Sequence, residues 1–146
     1  MKTVSTILRN TLVASCLIAA SASISANELA LTLNNITKHE GKIMVALFDS
    51  EANYNGEGKA AAVAMIPVTN GKVSYTFSNI ENGSYAIKLY HDENNNQKMD
   101  FNDYGIPTEG YGFSNNVGAF GIPSFEEAKF EVLEQTDIQI TVRKVG

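Results

Sequence analysis

The sequence predicts an all-β fold, an antiparallel β-sandwich of about seven strands with one long ordered loop. The first reason is that apolar residues alternate with polar ones in short runs, which buries one face of each strand. The second is that Asn-Gly pairs, which suit tight hairpin turns, separate several of these runs. Helical periodicity does not extend over the roughly 11 residues that a safe helix assignment needs, so two packed sheets are the economical architecture.

The first half of the chain supplies the predicted central strand. Alternation begins with Leu29, Leu31 and Leu33. The run from Gly41 to Asp49 is apolar on both alternating sets, and we therefore expect a strand that is covered on both faces. Residues 60–66 fit a strand or a helix by pattern alone, and the turn signal that follows them favours a strand.

Two Asn-Gly pairs predict a three-stranded meander in the middle of the chain. Asn70-Gly71 precedes an alternating run that begins at Val73, and Asn82-Gly83 precedes a second run that begins at Tyr85. Two further alternating runs lie between residues 130 and 142. Together these runs give the count of about seven strands.

Residues 1–26 have the pattern of a secretory signal peptide. Lys2 and Arg9 form a positive start, an apolar middle follows, and small residues provide a cleavage site within residues 22–26. The apolar stretch is about half the roughly 20 residues of a membrane-spanning helix, and we expect no membrane span. The pattern predicts an exported protein, periplasmic or extracellular.

The predicted single domain, residues 27–146, contains no cysteine, because Cys16 is the only cysteine of the chain. Residues 13–16 resemble the lipid-attachment box of bacterial lipoproteins, but apolar residues continue after Cys16, which favours a discarded signal instead. Disulfides therefore cannot stabilise the domain in an oxidising compartment. Its stability must come from its core and from any metal that it binds.

The charge balance argues against nucleic acid as a partner. The whole chain has a formal net charge of −5, and removal of residues 1–26 would also remove two basic residues. An acidic surface without a basic patch disfavours nucleic acid and anionic lipid headgroups. Cations are the favoured ligands.

The segment from Asp92 to Ser124 does not follow the strand pattern. It is far longer than the roughly 15 residues at which an unstructured loop in a compact domain becomes unusual, and it is rich in glycine and aromatic residues. It begins with oxygen-bearing side chains at the first, third, fifth, ninth and twelfth positions of the calcium loop of EF-hands. These residues are Asp92, Asn94, Asn96, Asp100 and Asp103, and the carbonyl group of Lys98 fits the seventh position.

The spacing predicts a Ca²⁺ site, because alternate residues of a tightly wound loop point their oxygens at one centre. Two departures from the EF-hand pattern are Gln97, where glycine normally allows a sharp turn, and Asp103, which is shorter than the usual glutamate. Flanking helices are not predicted either. The alternative is a polar loop of Asx turns that bonds its own backbone and holds no metal.

Five short motifs of the chain stand out together: Gly83–Ala86, His91–Asn94, Lys98–Asp100, Gly105–Asn116 and Pro123–Glu126. In these motifs the chain resembles a family of bacterial exported proteins, the domain-of-unknown-function family numbered 2141. The family typically has Asn-Gly-Asn-Gly-Lys where this chain has Asn94–Lys98. The resemblance implies a secreted β-sandwich similar to transthyretin (prealbumin), and it supplies no activity.

The functional prediction is a secreted, non-enzymatic module that Ca²⁺ organises, with an unknown protein or carbohydrate partner. The loop aromatics fit a small core under the loop better than a stacking platform for ligands. The alternative is a small hydrolase-type enzyme that uses the loop region 91–116. Its candidate groups are His91, Asp103, Glu109 and Ser114, but the serine lacks the Gly-x-Ser-x-Gly context of a hydrolase nucleophile.

Overall fold

A computed structural model describes residues 27–145, and the predicted signal peptide lies outside this range. Eight strands and two one-turn helices follow one another, with a 3₁₀ turn at Ser114–Asn116 between β6 and α2. The elements are β1 (Asn27–Asn34), β2 (Lys42–Phe48), α1 (Glu51–Tyr54), β3 (Ala62–Pro67), β4 (Val73–Ile80), β5 (Gly83–Asp92), β6 (Tyr111–Phe113), α2 (Phe125–Ala128), β7 (Phe130–Val132) and β8 (Gln135–Thr141).

The strands form two sheets, so the prediction of a mostly β fold is confirmed. One sheet has the order β4-β1-β8, and the other has the order β3-β2-β5-β6, with β7 paired to the start of β5. The prediction of wholly antiparallel pairing is wrong, because β1 and β8 run parallel, with Leu31 opposite Ile138. Alternation of apolar residues fixes which face is buried but carries no information on strand direction, which the long-range path of the chain decides.

The predicted meander is also wrong, although its three strands are present. β3 pairs with β2, β4 pairs with β1, and β5 pairs with β2, so the chain changes sheet at each Asn-Gly pair. Asn70 forms a side-chain turn in which its Oδ1 accepts a hydrogen bond from the N–H of Lys72 at 3.1 Å. Such an Asx turn reverses the chain without pairing the strands on either side.

The two sheets bury their alternating apolar residues against each other, as the pattern predicts. Leu29, Leu31 and Leu33 of β1 are at most 1% exposed, and Ile43 and Leu47 of β2 are fully buried. All five belong to one core cluster that both sheets supply. Full burial of each such side chain stabilises the fold by roughly 1.5 to 3 kcal/mol relative to exposure.

The outer face of β2 is covered only at one end, contrary to the expectation of a strand buried on both faces. Its outward set, Met44, Ala46 and Phe48, is half-buried. Helices α1 and α2 cover the Phe48 end with Tyr54 and Phe125, whose rings meet edge to face. The rest of this outer face stays open, and it forms the floor of a groove.

Candidate functional site

Four of the six predicted metal-ligating residues meet at the end of β5. Asp92 is the last residue of that strand and is fully buried. Its Oδ1 accepts the N–H of Asn96 at 3.0 Å, and its Oδ2 accepts the N–H of Gln97 at 2.9 Å. These two bonds wind the chain back over the strand end and bring the side chains of the next residues together.

Asp100 lies on the other side of this turn and receives both nearby amide groups. The Nδ2 of Asn94 donates to Asp100 Oδ2 at 2.6 Å, and the Nδ2 of Asn96 donates to both carboxylate oxygens at 3.0 Å. The amide oxygens of Asn94 and Asn96 accept the N–H groups of Asn96 and Lys98. The hydrogen bonds expected of an Asx-turn loop are therefore present.

The missing glycine does not prevent the tight winding of the loop. Gln97 has a φ of 62° and Asn95 has a φ of 61°, so both occupy the left-handed region. The backbone at Gln97 adopts the conformation for which the calcium loop normally has glycine. A non-glycine residue in this region stores roughly 1 to 3 kcal/mol of strain, which the bonds to Asp92 must offset.

Of the other two predicted ligands, Asp103 lies outside the cluster and Lys98 joins it through its backbone. Asp103 is exposed and belongs to a separate turn, in which Asn102 Oδ1 accepts the N–H groups of Tyr104 and Ile106 at 3.0 Å. Lys98 contributes its N–H group to Asn96 Oδ1. Within residues 27–145, His, Cys, Asp and Glu side chains form no group of three that could hold a metal. Asparagine, which is not one of these four residue types, supplies half of the loop cluster.

Glu109 holds the loop together, a role that the sequence analysis did not predict. It is 4% exposed, and its Oε1 accepts the N–H of Glu93 at 2.8 Å while its Oε2 accepts the N–H of Asp100 at 3.1 Å. One carboxylate thus joins the start of the loop to its end. We refer to this arrangement as the Glu109 clamp.

Glu93 connects the same loop to the C-terminal end of the chain. Lys144 Nζ lies 2.7 Å from Glu93 Oε1, and Lys38 Nζ lies 2.8 Å from Oε2. Burial alone would raise the pKa of Glu93, but the hydrogen bonds and charges of Lys144 and Lys38 outweigh it and hold the pKa below 4.5. The ionised form is therefore favoured in the folded state.

The lowered pKa of Glu93 predicts a loss of stability in acid. A carboxyl group whose pKa is lower folded than unfolded stabilises the fold above its unfolded pKa, near 4.5, and loses this contribution as the pH falls through the folded pKa. Urea unfolding from pH 6 down to about pH 3 should show this acid limb, and Glu93→Gln should flatten it. An acid limb of equal slope in both proteins would contradict the assignment.

The residues of the hydrolase hypothesis have backbone partners. His91 is 2% exposed, and its Nε2 donates to the Glu40 carbonyl oxygen at 2.7 Å. Ser114 is fully buried; its Oγ donates to the Ala128 carbonyl oxygen at 2.5 Å and accepts the N–H of Ile87 at 2.9 Å. In the described part of the chain, no hydrogen bond joins His91 to Ser114 as nucleophile and base.

The open outer face of the second sheet forms the floor of an apolar groove of about 970 Å³. Strand register aligns eight floor residues in two rows across β3, β2, β5 and β6. The rows are Val63-Ala46-Lys88-Phe113 and Met65-Met44-Tyr90-Tyr111. Ligand pockets in proteins commonly enclose roughly 300 to 1,000 Å³, so this groove is of ligand size.

The walls of the groove come from two parts of the long segment, residues 99–107 and 119–122. Phe101 is 58% exposed and Phe120 is fully exposed, although both line the groove. The prediction that the aromatics form a core under the loop is therefore wrong for these rings. β6 ties the middle of the segment to β5, and the segment presents these two rings to the groove.

Lys88 is the one charged side chain among the groove-lining residues within 27–145. Its ammonium group donates to the Tyr54 carbonyl oxygen at 2.6 Å and lies 3.7 Å from the centre of the Tyr54 ring. Burial lowers the pKa of Lys88. The ion pairs found among residues 27–145 do not include Lys88, so this cation lacks a carboxylate within 4.0 Å.

Comparison with known proteins identifies a family and nothing more. The family model described as "Uncharacterized protein conserved in bacteria (DUF2141)" matches residues 31–141. Neither the curated proteins nor the solved structures gave a match. Helices long and apolar enough to cross a membrane do not occur within residues 27–145.

Proposed function

The chain belongs to the uncharacterized bacterial family DUF2141, and we propose that it is an exported, non-enzymatic binding module whose loop from Asp92 to Asp100 binds Ca²⁺. The observation that carries this proposal is the hydrogen-bonded cluster that Asp92, Asn94, Asn96 and Asp100 form around a single turn. The role is that of a scaffold: the cation fixes the loop, and the loop walls the groove. The sandwich is of the transthyretin type in this proposal, and export is by way of residues 1–26.

The chemistry of the cluster supports a hard cation. Asp100 accepts three hydrogen bonds from the amide groups of Asn94 and Asn96, which occupy the side of the carboxylate that a cation would occupy. A half-turn of either amide would direct its oxygen to the same space, and it would break the bond that this oxygen accepts from a backbone N–H group. Ca²⁺ accepts such sets of carboxylate, amide and carbonyl oxygens in flexible geometry, with water completing the shell.

The apolar lining of the groove disfavours a carbohydrate as the partner. Carbohydrates need several polar groups for recognition, whereas the groove has an almost entirely apolar lining. The wall residues Met99 and Phe101 lie within or beside the Ca²⁺ loop. Ordering of the loop by the cation therefore prepares an apolar binding surface.

Thermal unfolding with and without Ca²⁺ tests the proposal. Extracellular calcium modules bind with dissociation constants near 10⁻⁴ to 10⁻³ M, so about 10 mM Ca²⁺ should stabilise the fold by roughly 1.4 to 2.7 kcal/mol. For a domain of this size we expect Tm to rise by about 5 to 15 °C. Asp100→Ala should abolish most of this rise, because it removes the carboxylate at the centre of the cluster.

Asp103→Ala is the matched control, since Asp103 is an exposed carboxylate three residues away in a different turn. Its Tm rise with Ca²⁺ should equal that of the unchanged protein. An unchanged protein whose Tm does not move at 10 mM Ca²⁺, with no heat in calorimetry, would remove the cation from the proposal.

A further inference from the structure

The groove combines a large exposed apolar surface with one isolated cation. Val63, Met65 and Ile122 are 71%, 63% and 77% exposed, and all three line the same groove. Contiguous exposed apolar surface of this kind is uncommon on proteins unless it binds something. The surface therefore points to an apolar ligand or partner.

Lys88 determines what kind of apolar ligand fits. It lies in the floor of the groove between Ala46 and Phe113, in the strand row next to Tyr90. An ammonium group has three N–H donors, and within the described residues the Tyr54 carbonyl accepts one of them. The Phe48 and Tyr54 rings stabilise the charge by cation–π contact, but their faces provide no anionic acceptor for its N–H groups.

We infer that the groove binds a single-chain anionic amphiphile, a long-chain carboxylate whose alkyl chain lies on the two floor rows and whose carboxylate pairs with Lys88. The alkyl chain covers the exposed side chains of β3 and of the 119–122 wall. The carboxylate supplies the anionic acceptor that Lys88 lacks among residues 27–145. Lys88 therefore selects the anionic end of the ligand, and the apolar lining of the groove selects its alkyl chain.

The net charge of −5 does not oppose this pairing at short range. Exposed charges further away than about 8 Å are largely screened at physiological ionic strength, whereas a partly buried pair is not. The inference rests on the proposed role as a binding module and names the ligand class. Binding of the carboxylate does not require Ca²⁺, so this inference and the Ca²⁺ proposal can fail separately.

Calorimetric titration of the purified protein with dodecanoate, in the presence of EDTA, tests the inference. EDTA prevents precipitation of the calcium carboxylate and separates this test from the Ca²⁺ proposal. We expect saturable one-to-one binding, with an affinity that rises by up to roughly fourfold for each added methylene from octanoate to dodecanoate. 1-Dodecanol has the same chain without the charge and should bind at least tenfold more weakly than dodecanoate, since a charge-assisted hydrogen bond is lost.

Two variants of Lys88 separate ligand recognition from a structural role. Lys88→Met should lower dodecanoate affinity roughly tenfold or more and leave 1-dodecanol affinity within about twofold. Lys88→Arg keeps the charge and should restore dodecanoate binding. Equal loss for both ligands in Lys88→Met, at unchanged Tm, would show that Lys88 only supports the groove and would overturn the inference.

A second pair of variants keeps the test valid even if Lys88→Met does not fold. Met65→Asp places a negative charge on the exposed groove floor and should abolish dodecanoate binding. Leu133→Asp is the matched control, because Leu133 is 60% exposed and does not line the groove; it should bind normally. Equal effects of the two variants would overturn the inference.

Two other occupants of the groove would give different results. Self-association seen by light scattering, abolished by Met65→Asp and accompanied by no dodecanoate binding, would identify an interface between two copies. Sedimentation with phosphatidylglycerol vesicles, without binding of monomeric dodecanoate, would identify a membrane surface. Either result would overturn the inference.

Discussion

Gly41→Ala should greatly lower the denaturant concentration at which the protein unfolds, with a loss of about 3 to 5 kcal/mol in the free energy of unfolding. Gly41 has a φ of 76°, which costs an alanine roughly 1 to 2 kcal/mol. A Cβ atom there would also meet the Asp92 carbonyl oxygen and lie 2.9 Å from Glu93 Cα. Both contacts are with backbone at the start of the loop, which cannot move without breaking the end of β5.

Gly105→Ala is the control for the backbone conformation alone. Gly105 has a φ of 73°, and a Cβ atom there would meet nothing within 4 Å. We therefore expect a loss of roughly 1 to 2 kcal/mol, from the φ angle only. Urea unfolding of the two variants measures the difference. Similar midpoints for both would contradict the close approach of β2 to the loop at Gly41.

Glu109→Gln should destabilise the protein by about 2 to 3 kcal/mol without Ca²⁺. The Glu109 clamp accepts two backbone N–H groups, and a glutamine would present one oxygen and one NH₂ group. One backbone N–H would then lose its acceptor in a buried place and face another donor. Hydrogen exchange should quicken at Glu93 or Asp100, or at both amides.

Glu57→Gln gives the matched control, because Glu57 is exposed and lies outside the loop. Its unfolding free energy should change by less than about 0.5 kcal/mol. If Glu109→Gln keeps its stability and the amides of Glu93 and Asp100 stay protected, the clamp does not hold the loop closed.

The strands other than β6, and the faces that they turn to the core, could be predicted from the sequence. Leu29, Leu31 and Leu33 are buried as their alternation indicated, and residues 62–67 form a strand as the turn signal favoured. The family was also predicted correctly from its motifs. These features depend on neighbours within a few residues, so the local pattern is sufficient to reveal them.

The candidate site was only partly predictable: contacts between residues close in the sequence could be predicted, and contacts between distant residues could not. Asp92 and Asp100 belong to one cluster because both accept hydrogen bonds from residues 94–97, within a single short turn that spacing can indicate. Asp103 lies just beyond, where Asn102 starts a turn of its own. The role of Glu109 required β6 to bring residue 109 back to the loop, and no spacing rule anticipates that return.

By itself the sequence determined every strand except β6, the faces that these strands turn to the core, and that a polar loop follows β5. Only the tertiary structure decided that β8 lies parallel to β1, that the chain changes sheet between β3, β4 and β5, and that the outer face of β2 stays open. The physical reason is that alternation reports burial of a face, whereas pairing between distant strands is chosen by the packing of the whole chain. The groove and the isolated charge of Lys88 follow from that choice of pairing.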